Sequence, residues 1–463
     1  MPKTKLFTLC FFIFIIISIS AYASAPKHKI SFNIKGLQNT LCFMGCHYGD
    51  KDYIQDTAKV DDKGNFEFSG DKELDGGIYF IMLKSRKYFE FIVDKEQKFS
   101  IHVTDTNDFV GAVKVTGSDE NAFFYAYLNY VTQQHAVIEK YQKDNNQSQI
   151  DTVNEKVKRY KEDFEKKHPD MFLSKVFKAA EDPVIPSSPK LANGKVDSTF
   201  PFRYYKSHFL DDVDFSDGRL VRSPVLHPRI KDYLTRLTVQ QPDSIIVAAD
   251  YLVAKAKANK EMFKYIVAYI TSAYEASNIM GMDKVFVHMV KKYYTPDLAY
   301  WVSASQMERI QERATQLDPI LVGKYVPELV LPDTSNIMRA LDSVKARYTI
   351  LYFWDYDCGF CQKETPKLIK WYDSVKDEGI EVYAVETNEA NINKWKEYVR
   401  EHKLDWINVA DVFRTSNMHQ QFDITSTPVI FVLDEFKTII AKKIDMEDIN
   451  KIIKNDMQKH QTK

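Results

Sequence analysis

The run Tyr348-Thr349-Ile350-Leu351-Tyr352-Phe353-Trp354 is aromatic, aliphatic or β-branched at every position, and Cys358-Gly359-Phe360-Cys361 follows it at the head of an amphipathic stretch. The run predicts a strand over Thr349–Trp354, and the stretch predicts a helix over Cys358–Val375. Two thiols three positions apart at a strand-to-helix junction can close into a disulfide and reopen. The pair therefore reads as a redox centre rather than a structural staple, and the chemistry it implies is electron exchange with other thiols.

The first twenty-five residues point to a compartment where such a centre can work. Lys3 and Lys5 precede an apolar segment from Leu6 to Ile19, and Ala21, Ala23 and Ala25 follow at the spacing a signal peptidase reads. Cleavage is expected after Ala23 or Ala25. The apolar segment falls short of the roughly 20 residues that cross a bilayer, so an uncleaved anchor is the weaker reading. Cys10 stands early in the segment, which argues against a lipid-attached cysteine. Export to the periplasm, with no stable membrane span after cleavage, is the expectation. The formal net charge of −1 becomes −3 when Lys3 and Lys5 leave with the leader, a balance that suggests neither nucleic acid nor an anionic membrane as partner. Cys42, Cys46, Cys358 and Cys361 remain, too few for a disulfide-stapled scaffold.

Three patterns follow one another along the mature chain. From Lys29 to about Gly117 the period is two: Ile30, Phe32 and Ile34, then Phe66 and Phe68 after an Asp62-Lys63-Gly64-Asn65 turn, then Phe99, Ile101 and Val103. Short strands with frequent turns predict an antiparallel sandwich or barrel-like sheet. Near Asn121 the period becomes helical, with Phe123, Phe124, Tyr127 and Val131 on one face and Val153, Val157, Tyr160 and Phe164 on another. Pro183, Pro186 and Pro189 mark a loop, after which helical patterning runs from about His227 to Asp318. Beyond Pro319 and Pro327, strands and helices alternate: strand Glu381–Glu386, helix Asn391–His402, a short helix near Met418, strands Val429–Leu433 and Thr438–Ile444, and helix Glu447–Asn455. A sheet flanked by helices is predicted.

That order, with Cys-x-x-Cys opening the first helix and Thr427-Pro428 opening a later strand, resembles the thioredoxin fold, and more closely the TlpA/ResA type of thiol-disulfide oxidoreductase. Phe353-Trp354, Cys358 to Cys361, Glu364, Pro366 and Thr427-Pro428 ahead of Val429-Ile430-Phe431-Val432 carry the resemblance, over roughly residues 321–463. Tyr48-Gly49-Asp50, Asp56-Thr57, Asp62 to Phe68 and Gly117-Ser118 resemble the sandwich domain often found ahead of such domains in exported bacterial proteins. His208 to Arg222 with Ser223-Pro224 resembles the helical domain of unknown function found between the two. The expected organisation is multidomain α+β: leader 1–25, antiparallel β-sandwich 26–118, all-helical domain 119–318, and α/β thioredoxin-like domain 319–463.

At a helix N-terminus Cys358 would have a lowered pKa and act as nucleophile on a partner's disulfide, and Cys361, one turn on, would resolve the mixed disulfide. Glu364 lies on the same helical side as Cys361 and could take or return its proton, a role the resemblance also implies for an acid at this position. Pro366 is expected to kink or redirect the helix. The resemblance further implies a cis Thr427–Pro428 bond, where X-Pro statistics alone favour trans, and client contact at Thr427, Pro428 and Trp354. Two departures stand out. Tyr352 occupies the position of the buried aspartate of cytosolic thioredoxins, shifting proton handling toward Glu364, and Asp357 replaces a tryptophan just before the first cysteine, where its charge should disfavour the thiolate.

Elsewhere the signals are weaker. Cys42 and Cys46, beside His47, could contribute to a zinc site, but on a strand they lie about 13 Å apart and face the same side, so buried sheet residues are expected. His208, Arg219 and Arg222 among Asp211, Asp212, Asp214 and Asp217 read as an internal salt-bridge cluster before a ligand site. The expectation is an exported, periplasmic thiol-disulfide oxidoreductase, in the reducing direction, needing no cofactor beyond the Cys358–Cys361 disulfide. Its partners would be disulfide-containing envelope proteins or small thiols, recharged by an upstream donor the sequence does not name. The alternative is an envelope binding or assembly module whose cysteines are a redox sensor or a structural disulfide. A zinc-binding structural protein comes third.

Overall fold

The structure is a computed structural model that describes residues 25–461. The leader features from Lys3 to Ala23 lie outside the described residues. Contacts divide the chain into two compact units that meet at Phe177 and Lys178.

The first unit opens with eight strands: β1 His28–Ile34, β2 Leu41–Tyr48, β3 Lys51–Lys59, β4 Asn65–Gly70, β5 Gly77–Leu83, β6 Tyr88–Val93, β7 Lys98–Val103 and β8 Val113–Thr116. They form two four-stranded sheets, ordered β4-β1-β7-β8 and β3-β2-β5-β6. The alternation in β1 buries Ile30, Phe32 and Ile34, and Phe32 stacks on Phe66 of its own sheet and meets Phe91 of the other edge-on. The turn into β4 needs Gly64: its φ is +84°, and a Cβ there would fall 2.2 Å from the Ile34 carbonyl oxygen.

Helices α1 (Asp119–Lys143) and α2 (Gln147–Lys167) group with these sheets in the first unit. Buried polar side chains provide the reason. The Asn121 amide accepts from Ile92 N and donates to Ile92 O, both at 2.7 Å, and Tyr125 donates to Glu90 O at 2.6 Å. Helix α3 (Phe172–Ala180) follows, its first N–H groups held by the Glu120 carboxylate.

The second unit contains α4 (Phe200–His208), α5 (Leu226–Thr235), α6 (Pro242–Ala256), α7 (Lys260–Glu275), α8 (Asp283–Tyr293) and α9 (Ala304–Leu317). The aromatic series from Tyr265 to Tyr294 supplies core, with Tyr265, Tyr274, Phe286, Tyr293 and Tyr294 buried. Arg219 pairs with Asp217, and Arg222 reaches Glu261 on α7, so the polar stretch after His208 supplies ion pairs within the helical region.

The rest of the unit is α/β: a small ribbon of β9 (Val330–Pro332) and β10 (Met338–Ala340), then β11 (Tyr348–Trp354), α10 (Gly359–Val375), β12 (Ile380–Glu386), α11 (Ile392–Glu401), β13 (Ile407–Ala410), α12 (Met418–Gln421), β14 (Val429–Leu433), β15 (Ile439–Lys442) and α13 (Ile449–Gln461). The sheet order is β13-β12-β11-β14-β15. Strand β11 is buried at all seven positions, which is why its sequence shows no alternation: the sheet is covered on both faces. Tyr352 and Trp354 face α10, whose Cys361, Leu368, Tyr372 and Val375 form the matching stripe, and Phe353 packs on Phe422 and Phe431. Side chains of α8 and α9 are bonded to the α/β part. Among the described residues no helix is long and apolar enough to cross a membrane.

Candidate active site

Strands β11, β12 and β13 are parallel and end along one edge of the sheet, and β14, antiparallel to β11, begins there. The edge therefore gathers Asp355 to Cys358 after β11, Thr387 to Glu389 after β12, and Thr427-Pro428 ahead of β14.

Cys358 is the N-cap of α10, and its carbonyl takes the Gln362 N–H at 2.9 Å. Its half-buried thiol donates to Thr427 O across 3.6 Å. Burial pushes this thiol up, but the Cys361 backbone N–H, the Thr427 and Cys361 side chains and the Phe360 N–H outweigh it, and Cys358 lies below the ordinary cysteine value. The first N–H groups of a helix have no intrahelical acceptor, so they are available to a thiolate at the N-cap. Asp357, whose charge is expected to disfavour the thiolate, does not cancel this depression; its carboxylate is exposed, where water and salt screen it. Cys361 is the opposite case. It is fully buried beside Tyr352, Trp354 and Leu368, and burial pushes its thiol up to about 12. One sulfur is prepared to attack and the other to hold its proton.

The Thr427–Pro428 bond is cis, and both residues are half-buried at the Cys358 sulfur's side of the edge. Glu364 lies on α10 one turn past Cys361, and its carboxylate takes the Lys367 ammonium at 2.8 Å. Trp354 requires a correction. The resemblance implied client contact there, but the residue is 1 % exposed, stacked on Tyr352 and packed against Tyr398, because two positions after Tyr352 it takes the same face, the one covered by α10. Its role is packing beneath the thiols. Phe360, between the cysteines, is the exposed aromatic instead, 72 % accessible with the Lys363 ammonium over its ring.

Sequence reasoning passed over Glu386. It ends β12 fully buried, its carboxyl accepting from Tyr356 N at 3.2 Å and Asn388 N at 2.9 Å. The Asn388 amide reaches the Asp355 carboxylate at 3.3 Å, and Asp355 in turn accepts from Asp357 N through its side chain and from Cys358 N through its carbonyl. Glu386 is thus tied to the loop that delivers Cys358. Burial, with the neighbouring Asp355 charge, pushes its carboxyl up to about 8 against the N–H groups that favour the anion. The available signal was parity: Glu386 shares the inward face of Val382 and Ala384, where a carboxyl is rare.

Cys42 and Cys46 are buried in β2, opposite Leu83 and Tyr79 of β5, and neither is bridged. Among the described residues no group of three His, Cys, Asp or Glu side chains is placed to hold a metal.

Residues 322–442 match the AhpC/TSA family, residues 136–318 a domain of unknown function (DUF5106), and residues 28–124 another (DUF4369). The chain is 26 % identical over 140 residues, 30 % of its length and 79 % of the relative's, to the thiol-disulfide oxidoreductase ResA of Geobacillus kaustophilus. It is 25 % identical over 123 residues, 27 % of its length and 69 % of the relative's, to ResA of Bacillus cereus. Among solved structures, a domain of a possible thiol-disulfide isomerase from Cytophaga hutchinsonii is 39 % identical, covering 32 % of this chain and 99 % of that one with a TM-score of 0.30.

Proposed function

We propose, from the premise that the chain belongs through residues 322–442 to the AhpC/TSA family and carries a thioredoxin-fold oxidoreductase domain, that it is an exported thiol-disulfide oxidoreductase working through Cys358 and Cys361. The observation that carries this reading is the divergence of two neighbouring thiols, one held below the ordinary value at a helix start and the other buried and pushed up to about 12.

In the reducing direction the Cys358 thiolate attacks a client disulfide, forming a Cys358–client bond and releasing one client thiolate. Cys361 then gives up its proton, with Glu364 as the acceptor one turn away, and attacks the Cys358 sulfur. That step forms the Cys358–Cys361 disulfide and releases the second client thiolate. The client gains two electrons and the chain loses two, to be returned by a dithiol donor. The helix start favours the anion needed for the first step, and burial of Cys361 keeps it protonated until the mixed disulfide brings a sulfur into reach. Thr427 and Pro428 border the attacking sulfur and are the proposed client contacts. The apolar segment and alanines of the leader support a periplasmic setting, and disulfide-containing envelope proteins or small thiols are the proposed partners.

The test is covalent capture. Cys361→Ser, with resolution blocked, should accumulate a Cys358-linked mixed disulfide with an oxidised client that dithiothreitol releases, and Glu364→Gln should lengthen the life of the same species in an otherwise unaltered chain. An unmodified Cys358 after incubation of Cys361→Ser with oxidised clients rules the reading out.

A further inference from the structure

The segment that carries Thr427 and Pro428 is short and held at both ends. Downstream it enters β14 at the buried Val429, and upstream it leaves Phe422, which is fully buried against Phe353 and Phe431. Between them only Thr425 and Ser426 are exposed. The upstream anchor is Asp423, which is unusual in two respects. Its backbone is left-handed, with φ 54°, a conformation that costs a non-glycine residue free energy unless its surroundings enforce it. Its carboxylate is 2 % exposed, and a buried charge persists only when paired.

The pairing comes from two cations. Lys443, just past β15, donates to Asp423 Oδ2 at 2.6 Å. The other is Arg313 of α9, whose two terminal nitrogens donate to the two carboxylate oxygens, Nη2 to Oδ2 at 3.0 Å. A forked pair of this kind fixes orientation as well as distance. Three residues along α9, the Gln316 amide donates to the Gln420 carbonyl at 2.8 Å, gripping the end of α12 from the same helix. Lys442, 4 % exposed, is bonded to Asp283 of α8. The helical region thus touches the α/β domain at the residues that fix where the Thr427 segment begins.

We infer that Arg313 is a positioning residue of the helical region that, through Asp423, sets the placement of the client-facing Thr425 to Pro428 segment beside Cys358. This rests on the proposed oxidoreductase function, and gives the DUF5106-matched region a part in it: the α/β domain alone lacks one of the two cations that hold its own client-facing segment. A client that must lie along the segment depends on its placement, whereas a small aromatic disulfide needs chiefly the Cys358 sulfur.

The experiment compares the full-length chain with Arg313→Lys, Arg313→Gln, Asp423→Asn and the Arg313→Gln/Asp423→Asn double variant, measuring kcat/KM for reduction of insulin and of DTNB. Asparagine tolerates the left-handed backbone, so Asp423→Asn removes the charge while keeping the conformation accessible. The expected result is a fall of about tenfold in the insulin-to-DTNB ratio for Arg313→Gln, carried by KM, with the double variant no worse than Asp423→Asn alone because Arg313 acts only through Asp423. Arg313→Lys, charged but unforked, recovers part of the loss. An unchanged ratio in Arg313→Gln, or losses that multiply in the double variant, overturns the inference. A wild-type chain that reduces neither substrate defeats the proposed function itself, and this inference with it.

Discussion

Cys358→Ser should reduce the turnover of insulin disulfides to the background rate of dithiothreitol alone. The two thiols are in opposite states. Cys358 is half-buried at a helix start, facing N–H groups that favour its anion, whereas Cys361 has no exposed surface and a thiol pushed up to about 12, so at neutral pH it is a protonated sulfur out of a client's reach. With Cys358 gone, the remaining described thiols, Cys42 and Cys46, are buried in β2 and cannot substitute. Stability should hardly change, since the substitution is nearly isosteric at a position that packs little. Residual turnover above background in a purified, fully reduced Cys358→Ser chain would mean that the attacking group has been misassigned.

The second large effect is on stability. Glu386 holds its proton in the fold up to about pH 8, against an ordinary 4.5. Between those values the folded chain binds a proton that the unfolded chain has released, so this residue's contribution to stability is fully present below pH 4.5 and is lost as pH rises toward 8. The change amounts to about 4–5 kcal/mol across the window. Glu386→Gln cannot ionise, so the part of the decline from pH 5 to 8 that this residue contributes should be missing from the variant's profile. Urea unfolding followed by tryptophan fluorescence reads the relevant domain, because Trp354, Trp371, Trp395 and Trp406 lie in it and only Trp301 lies outside. Parallel pH profiles for the two proteins would show that Glu386 is ionised in the fold. The same residue ties Tyr356 to Asn388, so a native Glu386 that loses its proton also changes the surroundings of the loop before Cys358.

The α/β region was legible because its signals are local. An uninterrupted apolar strand, a thiol pair at the next helix start and a proline opening a later strand all lie within short windows, and β11, α10 and β14 stand close to where those windows place them. Strand β13 escaped because it has four residues and one is Asn408, which reads as loop until its partners are seen: it donates to the Leu404 and Trp406 carbonyls and accepts from the Trp406 indole. The client contact that the resemblance implied for Trp354 fails because the period of two puts it on the same covered face as Tyr352. Arg313 and Asp423 stand 110 residues apart, and no pattern within either segment points to the other. Asn121 and Tyr125 tie α1 to β6 through hydrogen bonds that hydrophobic patterning cannot register.

The account depends most on the acidity of a single sulfur, and the rate of iodoacetamide alkylation of Cys358 as a function of pH, in the full-length chain with Cys361→Ser, measures it. The predicted profile has its midpoint below the roughly 8.5 of a free cysteine. A midpoint at or above that value would contradict the account.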